Sequence, residues 1–377
     1  INTFMNKQYT CLGLMSGTSG DGVDASIISS DGQDNCTILK EKYFEYSKDL
    51  FLQFHNLKKK INALKDLDAH TDEIKDLEKK ITIFHAKTVN DLASDFNLDL
   101  IGFHGQTLYH NPKEKISFQL GNGNLLSQLT KKKIVFNFRK RDIINGGEGA
   151  PLTPIFHKYL IKSKKIDLPA GFLNIGGISN FTFMKELNNL SIISKDVGPG
   201  NCLIDSWIQK FTEKKYDEEG KISSRGSINK VILEQALEVH ENNFKNKDNF
   251  SLDTNDFDIS FVRGLSLEDG AATLTAFTAK VITSNIKNFL KNFDNNKLTI
   301  LLCGGGRKNK NLIDQIKINL NKNLILVSSD KFNINGDFIE SQAFAYLAIR
   351  SVQSLPISFP NTTGCSSPCS GGEIVKS

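Results

Sequence analysis

Asp196-Val197-Gly198-Pro199-Gly200-Asn201 is the stretch on which the reading of this chain turns. It follows a short apolar run, Leu190 to Ile193, that reads as a strand, and precedes Cys202-Leu203-Ile204-Asp205-Ser206-Trp207-Ile208, whose apolar spacing reads as a helix. The carboxylate therefore stands where a strand gives way to a helix. Two glycines open backbone conformations closed to other residues and Pro199 fixes one φ, so the turn is stiff and can hold an acid close to a ligand. An Asp that merely caps a turn is the alternative at this point.

Working outward, Gly171 to Ile175 is a strand, Gly176-Gly177-Ile178-Ser179-Asn180 a glycine turn, and Phe181 to Met184 a returning strand. The same grammar opens the chain. Strand Tyr9 to Met15 runs into Ser16-Gly17-Thr18-Ser19-Gly20-Asp21-Gly22, and Val23 to Ser29 returns. Main-chain N–H groups and the Thr18 and Ser19 hydroxyls could cradle phosphates there, and Asp21 or Asp24 could meet a Mg²⁺ ion. One glycine-rich hairpin is also an ordinary turn; its recurrence in the second half is the more informative fact. Downstream, a long helix through Leu274 to Leu290 feeds strand Leu298 to Leu302, then Cys303-Gly304-Gly305-Gly306-Arg307, then a helix from about 311 to 320. A tight turn explains one glycine, whereas three allow a flat adenine to lie on bare backbone.

Leu98 to Phe103 reads as a buried strand ending in His104-Gly105-Gln106-Thr107, polar residues that suit a hydroxylated ligand, although a lone His is more often structural. Strand Ile134 to Phe138 delivers Arg139, Arg141 and Asp142 into Gly146-Gly147-Glu148-Gly149-Ala150-Pro151, which reads as an inter-domain hinge. Residues 50 to 96 carry two helical stripes, Leu57, Ile61, Leu64, Leu67 and Ile74, Leu77, Ile81, Phe84, Leu92, with Thr71 as N-cap of the second. These stripes read as packing without chemistry. Glu340 opens a small-residue helix, where a carboxylate is favourable. Residues 214 to 263 read as a mobile or peripheral insertion, and 361 to 377 as a polar, frayed tail.

A chain of 377 residues suggests two domains. Hydrophobic content of 39% and charged content of 24% are those of a soluble globular protein. The net charge of +5 comes from dispersed lysines, and triplets such as Lys131-Lys132-Lys133 read as solvated faces, so no nucleic-acid partner is expected. No run suits a membrane helix, no signal-peptide core is read, and the six cysteines lack metal-type spacing, so a cytoplasmic protein without membrane association is expected.

Taken together, Gly13-Leu-Met-Ser-Gly-Thr-Ser-Gly-Asp-Gly-Val-Asp24, His104-Gly-Gln-Thr107, Phe138-Arg139 through Gly149-Ala-Pro151, Asn174-Ile-Gly-Gly-Ile-Ser-Asn180, Asp196 to Asn201, Cys303-Gly-Gly-Gly306 and Glu340 to Ala348 carry a resemblance. In order and over nearly the whole chain, they resemble the anhydro-N-acetylmuramic acid kinase family, within the superfamily joining sugar kinases, actin and heat-shock chaperone ATPases.

That resemblance implies an α/β, two-domain actin-like ATPase (ribonuclease H-like) fold, with a five-stranded mixed sheet in each domain and an interdomain cleft. The domains would be 1–150, with 341–377 packing back on it, and 151–340. ATP would be bound by Gly17, Thr18, Ser19, Gly20, Asp21, Gly22, Val23 and Asp24, with Gly176, Gly177, Gly304, Gly305 and Gly306. The resemblance makes Asp196 the catalytic base and His104, Gln106, Arg139, Asn201 and Glu340 the sugar contacts, with Mg²⁺ as the ion and its protein ligand undetermined. The implied activity is hydrolytic phosphorylation of 1,6-anhydro-N-acetylmuramic acid in cell-wall recycling. The partner is thus a small amino sugar; a homodimer is left open. Two departures stand out. Met15 precedes Ser16-Gly17-Thr18 where the superfamily often has Asp, and Asn137-Phe138-Arg139 replaces the family's Asp-Phe-Arg. The rivals are an ordinary hexose or amino-sugar kinase, which differs only in its pocket, and a nucleotide-gated polypeptide binder, which needs an exposed apolar groove or an added peptide-binding domain.

Overall fold

Apolar, β-branched runs separated by glycine turns form twelve strands among the described residues of the computed structural model, which are 7–244, 251–293 and 297–376. The first three are an antiparallel meander, β1 (Tyr9–Ser16), β2 (Gly22–Ser30) and β3 (Cys36–Glu45). After the helices Lys48–Lys58, Leu64–Ala69 and Thr71–Leu92, β4 (Leu100–Asn111) returns parallel to β1, β5 (Ile116–Leu120) pairs with β4, and β6 (Lys133–Phe136) lies parallel to β4.

The period of two along β1 separates its faces. Leu12 and Leu14 join Phe54, Leu57, Ile81, Val89 and Phe103 in one core, under the helices Lys48–Lys58 and Thr71–Leu92. Gly13, between those leucines, faces the helix Ile339–Val352 instead. A Cβ at Gly13 would overlap the Ser341 carbonyl oxygen, and one at Gly102 on β4 would overlap that of Phe344. The small face Ser341-Gln342-Ala343-Phe344-Ala345 therefore lies directly on the sheet backbone.

In the second sheet, β7 (Ala170–Ile175) and β8 (Ile178–Met184) are an antiparallel hairpin, followed by β9 (Ile192–Pro199), β10 (Leu298–Cys303) and β11 (Leu324–Ser328). The order is β11-β10-β7-β8-β9, with β10 parallel to both neighbours. The helix Leu267–Leu290 starts at Ser266, whose hydroxyl accepts the Asp269 N–H at 3.1 Å. It packs beside Cys202–Phe211, where the buried Trp207 indole donates to the Leu267 carbonyl at 2.9 Å. Finally β12 (Glu373–Val375) pairs antiparallel with β6.

The described residues up to Lys165, with Asn188–Ile192 and those from Asp337 onward, form one compact unit; those of Ile166–Leu187 and Ile193–Gly336 form the other. The α/β reading agrees with both units. The first sheet, however, has seven strands rather than five, because β5 and the tail strand β12 join it. The tail is not frayed where it is described. Ser358 and Cys369 pair through backbone, at 3.2 Å and 3.0 Å, and both are buried. Gly146–Gly149 lies inside the first unit, held by the buried Asp142, whose carboxylate accepts the Gly149 N–H at 2.7 Å.

Residues 214–263, expected at the periphery, contribute to the second unit's interior. Ile222, Leu233 and Val262 are in its core, and buried Asp217 accepts the N–H groups of Ile222 and Ser223 at 2.7 and 3.0 Å. Of this stretch, 245–250 lie outside the described residues. Thr71 is not an N-cap either. It is the first residue of its helix, and its hydroxyl donates back to the Asp68 carbonyl at 2.8 Å.

The backbone contact at Gly13 is testable. Gly13→Ala should lower stability by ~1–3 kcal/mol in denaturant unfolding, because its Cβ meets helix backbone that cannot swing aside. Gly264→Ala, whose Cβ would meet nothing within 4 Å, is the matched control and should be near neutral.

Candidate active site

In the second unit the glycine turns close on one another by backbone. The Asn201 N–H donates to the Gly176 carbonyl at 2.7 Å, and the Gly200 and Cys202 N–H groups donate to the Gly177 carbonyl at 2.9 and 3.2 Å. A side chain at 200 is impossible, since its Cβ would overlap the Gly176 carbonyl. The third turn joins them through Gly304, at φ 75° and with a Cβ that would strike the Ile175 carbonyl and Asn174, and through Gly306, which backs onto Ile175 and Asn201. Gly305 differs: a Cβ there meets nothing within 4 Å, so this glycine presents open backbone.

Asp196 lies within β9, two residues before Gly198 at φ 143°. It is half-buried, and its Oδ2 accepts the Leu252 N–H at 2.7 Å. The turn at Gly304 has its own brace. Arg307 donates to Asp330 through Nε at 3.0 Å and to the Gly304 carbonyl through Nη1 at 3.0 Å. That guanidinium, with the Ser328 hydroxyl and the Gly336 N–H, draws the Asp330 carboxyl down to about 2.

In the first unit the hairpin after β1 closes with the Gly20 N–H on the Gly17 carbonyl at 3.1 Å, Gly20 standing at φ 61°. Ser19 donates to Asp21 Oδ1 at 2.6 Å, and the Asp21 carbonyl accepts the Tyr46 N–H at 2.8 Å. Asp24 stands opposite Met15, while Val23 and Gly22 are buried, Val23 in the core. Thr18 and Gly17 sit at the tip, where a Cβ on Gly17 has only Ser19 Oγ near it, at 3.7 Å.

His104, Arg139 and Glu340 form a second group in this unit. A guanidinium can only donate, so the contacts from Arg139 Nη2 at 2.8 Å and Nε at 3.2 Å require a lone pair on His104 Nε2. The proton is then on Nδ1, which donates to the Gly105 carbonyl at 2.7 Å. Arg139 Nη1 donates in turn to the Gly149 carbonyl at 2.8 Å. Burial raises the Glu340 carboxyl, and the Arg139 charge partly offsets this. Gln106 is fully buried, with Nε2 on the Gly17 carbonyl at 2.8 Å.

A family model described as anhydro-N-acetylmuramic acid kinase matches residues 9–377. The chain belongs to that family. It is 52% identical over 374 residues to the anhydro-N-acetylmuramic acid kinase of Pelagibacter ubique, covering 99% of this chain and all of the relative. It is 36% identical to the enzyme of that name from Brucella canis, over 97% of this chain and 98% of the relative. Among solved structures, a ROK family glucokinase from Streptomyces griseus is a distant likeness, with 10% identity, a TM-score of 0.40, and coverage of 90% of this chain and 98% of its own.

As a member of the anhydro-N-acetylmuramic acid kinase family the chain is a kinase, and no helix among its described residues is long and apolar enough to cross a membrane. No group of three or more His, Cys, Asp or Glu side chains suited to a metal occurs among the described residues. Such a cluster is not needed for Mg²⁺, which one or two carboxylates and substrate phosphates commonly hold. Leu252, the Arg307–Asp330 pair and His85 were missed in the sequence. Arg307 was readable as a neighbour of three glycines, but Leu252 acts through its backbone and left no residue signal.

Three buried histidines, His85, His104 and His157, and the half-buried His110 give this kinase a defined acid response. Burial holds His85 down to about 4 and His157 to about 3; burial and then the Arg139 charge hold His110 to about 3 and His104 well below its ordinary value of 6.5. The folded state disfavours the protonated rings, so their contribution is complete above 6.5 and is lost as pH falls from there through the folded values. At pH 5 unfolding should take up about four protons on these side chains, each worth at most ~1.4 kcal/mol per pH unit. Denaturant unfolding from pH 8 to 4.5 should show a plateau above about 7 and a steady fall below. A stability independent of pH between 7 and 5 contradicts the neutral-ring assignment.

Proposed function

We propose that the chain converts 1,6-anhydro-N-acetylmuramic acid, ATP and water to N-acetylmuramic acid 6-phosphate and ADP, in the recycling of peptidoglycan and in the cytoplasm, where ATP is at hand. The observation that carries this reading is the family match over residues 9–377, with the carboxylate of Asp196 held by the Leu252 N–H beside the glycine turns. Water attacks the anomeric carbon while its proton passes to Asp196. The bond from that carbon to the bridging oxygen breaks while the pyranose ring is kept, and the oxygen, now O6, takes the γ-phosphoryl group from ATP as ADP leaves.

The remaining assignments follow residue type and position. In the first unit, Gly17–Asp24 would meet phosphate, and His104, Arg139 and Glu340 the sugar; neutral His104 leaves the positive charge on Arg139 alone. In the second, Gly176 and Gly177 would meet phosphate, Gly304–Gly306 the adenine and Asn201 the sugar. Mg²⁺, when bound, would neutralise phosphate charge, and Asp21 or Asp24 at the hairpin would be the carboxylate to meet it. Everything the chain itself does is then positioning, proton removal and charge compensation.

Gly305→Val tests the adenine assignment, since the open space at that residue lets the protein fold while a branched side chain covers the bare backbone. Nucleotide affinity should fall at least ~10-fold, the loss of roughly 1.4 kcal/mol, in calorimetric titration. A folded Gly305→Val protein with unchanged affinity removes adenine from that turn.

Asp196→Asn keeps shape but cannot accept the proton, so turnover should fall ~10²- to 10⁴-fold while nucleotide and sugar still bind. The wild-type reaction, run in ¹⁸O-labelled water and quenched quickly, should label the anomeric oxygen above an exchange control and leave the phosphate at O6 unlabelled. An ordinary amino-sugar kinase would phosphorylate an existing hydroxyl and incorporate no solvent oxygen. Label confined to the exchange level, with N-acetylmuramic acid used as fast as its anhydro form, would favour that kinase.

A further inference from the structure

Ser16, Tyr46, His85 and Gln106 form a buried polar cluster beneath the hairpin, each at most 4% exposed. Ser16 Oγ lies 3.1 Å from the Tyr46 hydroxyl and 3.1 Å from His85 Nε2. His85 Nδ1 lies 2.8 Å from the Ile81 carbonyl, the Tyr46 hydroxyl 3.5 Å from Gln106 Oε1, and Gln106 Nε2 2.8 Å from the Gly17 carbonyl.

These contacts orient every proton. The Ile81 carbonyl can only accept, so His85 carries its proton on Nδ1, and burial keeps the ring neutral. His85 Nε2 is then an acceptor and Ser16 must donate to it. Ser16 has no second hydrogen, so the Tyr46 hydroxyl donates toward Ser16, with Gln106 Oε1 as its longer second acceptor. The Gly17 carbonyl likewise forces Gln106 to present its NH₂ group. A chain of donors and acceptors therefore runs from the helix Thr71–Leu92 to one peptide of the hairpin.

The Gly17–Thr18 peptide is trans, so its C=O and N–H point in opposite directions. Holding the carbonyl toward Gln106 turns the Thr18 N–H away from the buried cluster. We propose that Ser16, Tyr46, His85 and Gln106 are positioning residues that grip the Gly17 carbonyl and thereby present the Thr18 N–H to a nucleotide phosphate, so that Gln106 serves the nucleotide and not the sugar. This rests on reading the hairpin as the phosphate site. A donor fixed before the ligand arrives need not be ordered during binding, and it remains aimed as charge develops.

Steady-state kinetics with each substrate varied, on Tyr46→Phe, Gln106→Glu and Thr18→Pro, test the assignment. Tyr46→Phe keeps the buried ring and removes one link; KM for ATP should rise ~2- to 10-fold, the effect of one net hydrogen bond, while KM for the sugar stays within ~2-fold. Gln106→Glu sets a carboxylate against the Gly17 carbonyl and should raise the ATP KM further. A merely structural role would lower stability without separating the two KM values. A risen sugar KM with an unchanged ATP KM in Gln106→Glu, or no change of either in Tyr46→Phe, overturns the proposal; should Gln106→Glu fail to fold, Tyr46→Phe decides alone. Thr18 is the second residue of a turn closed by Gly20, a place where proline fits. Thr18→Pro deletes the N–H itself, so unchanged ATP binding there rejects the phosphate reading of the hairpin. Weakened binding there with a normal Tyr46→Phe rejects the positioning cluster only. Nitrogen-15 NMR of His85 is a readout independent of catalysis: a proton on Nε2 instead of Nδ1 breaks the donor order and overturns the proposal.

Discussion

Backbone meeting backbone without an intervening side chain is the constraint on which this structure depends. At Gly13 and Gly102 it lets the helix Ile339–Val352 lie on the first sheet, and at Gly200 and Gly304 it lets three turns of the second unit close on each other. Both uses exploit the same property, the missing Cβ, but with different consequences. In the first unit the close approach brings Glu340, in the first turn of its helix, to the end of the sheet that carries Ser16 and His104. In the second it fixes Asn201 at the start of a helix by its own N–H, independently of its side chain. Gly13, Gly102, Gly200 and Gly304 are therefore packing devices, whereas Gly17, Gly176 and Gly305 have room for a Cβ and are not explained by close packing.

Where the glycines remove side chains, buried polar groups tie the remaining loops. Asp142 is the clearest case. Its carboxylate accepts the Gly149 N–H and the Thr363 hydroxyl at 2.7 Å each, and the Ser358 hydroxyl at 2.5 Å, while its own carbonyl accepts the Gly147 N–H at 2.9 Å. A buried carboxylate is costly unless its lone pairs are filled, and here they are. The consequence reaches Arg139, since the carbonyl of the same Gly149 receives its guanidinium. The carboxy-terminal segment thus stiffens the group formed by His104 and Arg139, although none of its residues belongs to that group.

Local features of the chain were legible in the sequence, and long-range ones were not. The two hairpins, the helix after Asn201 and the triple glycine are each written within about ten residues, and period and turn chemistry suffice to read them; the strand read at Leu190 to Ile193 instead runs from Ile192 through Asp196 to Pro199, where glycine and proline disguise it. The family followed from the order of those same motifs. By contrast, β12 is a three-residue strand whose partner β6 lies far away in the chain, so no local signal marks it. Ile222, Leu233 and Val262 were hidden among Lys, Asp and Asn because only one residue in several turns inward there. The helix Thr71–Leu92 was read as packing from its apolar stripe, and most of it is; His85 escaped because a polar residue on an apolar face looks like an interruption until its partners are known.

Asn137, where the resemblance leads one to expect Asp, has a physical account in its surroundings. Asn137 stands at φ 52°, a left-handed conformation that Asn tolerates better than most residues. Its amide Nδ2 donates to Glu373 Oε2 at 3.1 Å, while Lys140 donates to Oε1 of the same carboxylate at 2.6 Å. These two donors, the lysine first, hold the Glu373 carboxyl below its ordinary range. An aspartate at 137 would set a second negative charge against Glu373 and could not donate. In this chain the amide and β12 therefore belong together: Glu373 begins the tail strand, and Asn137 is the residue that lets its carboxylate close on the end of β6. The negative charge in this neighbourhood is thus supplied by the tail, and Arg139, two residues on, donates to His104 and to the Gly149 carbonyl.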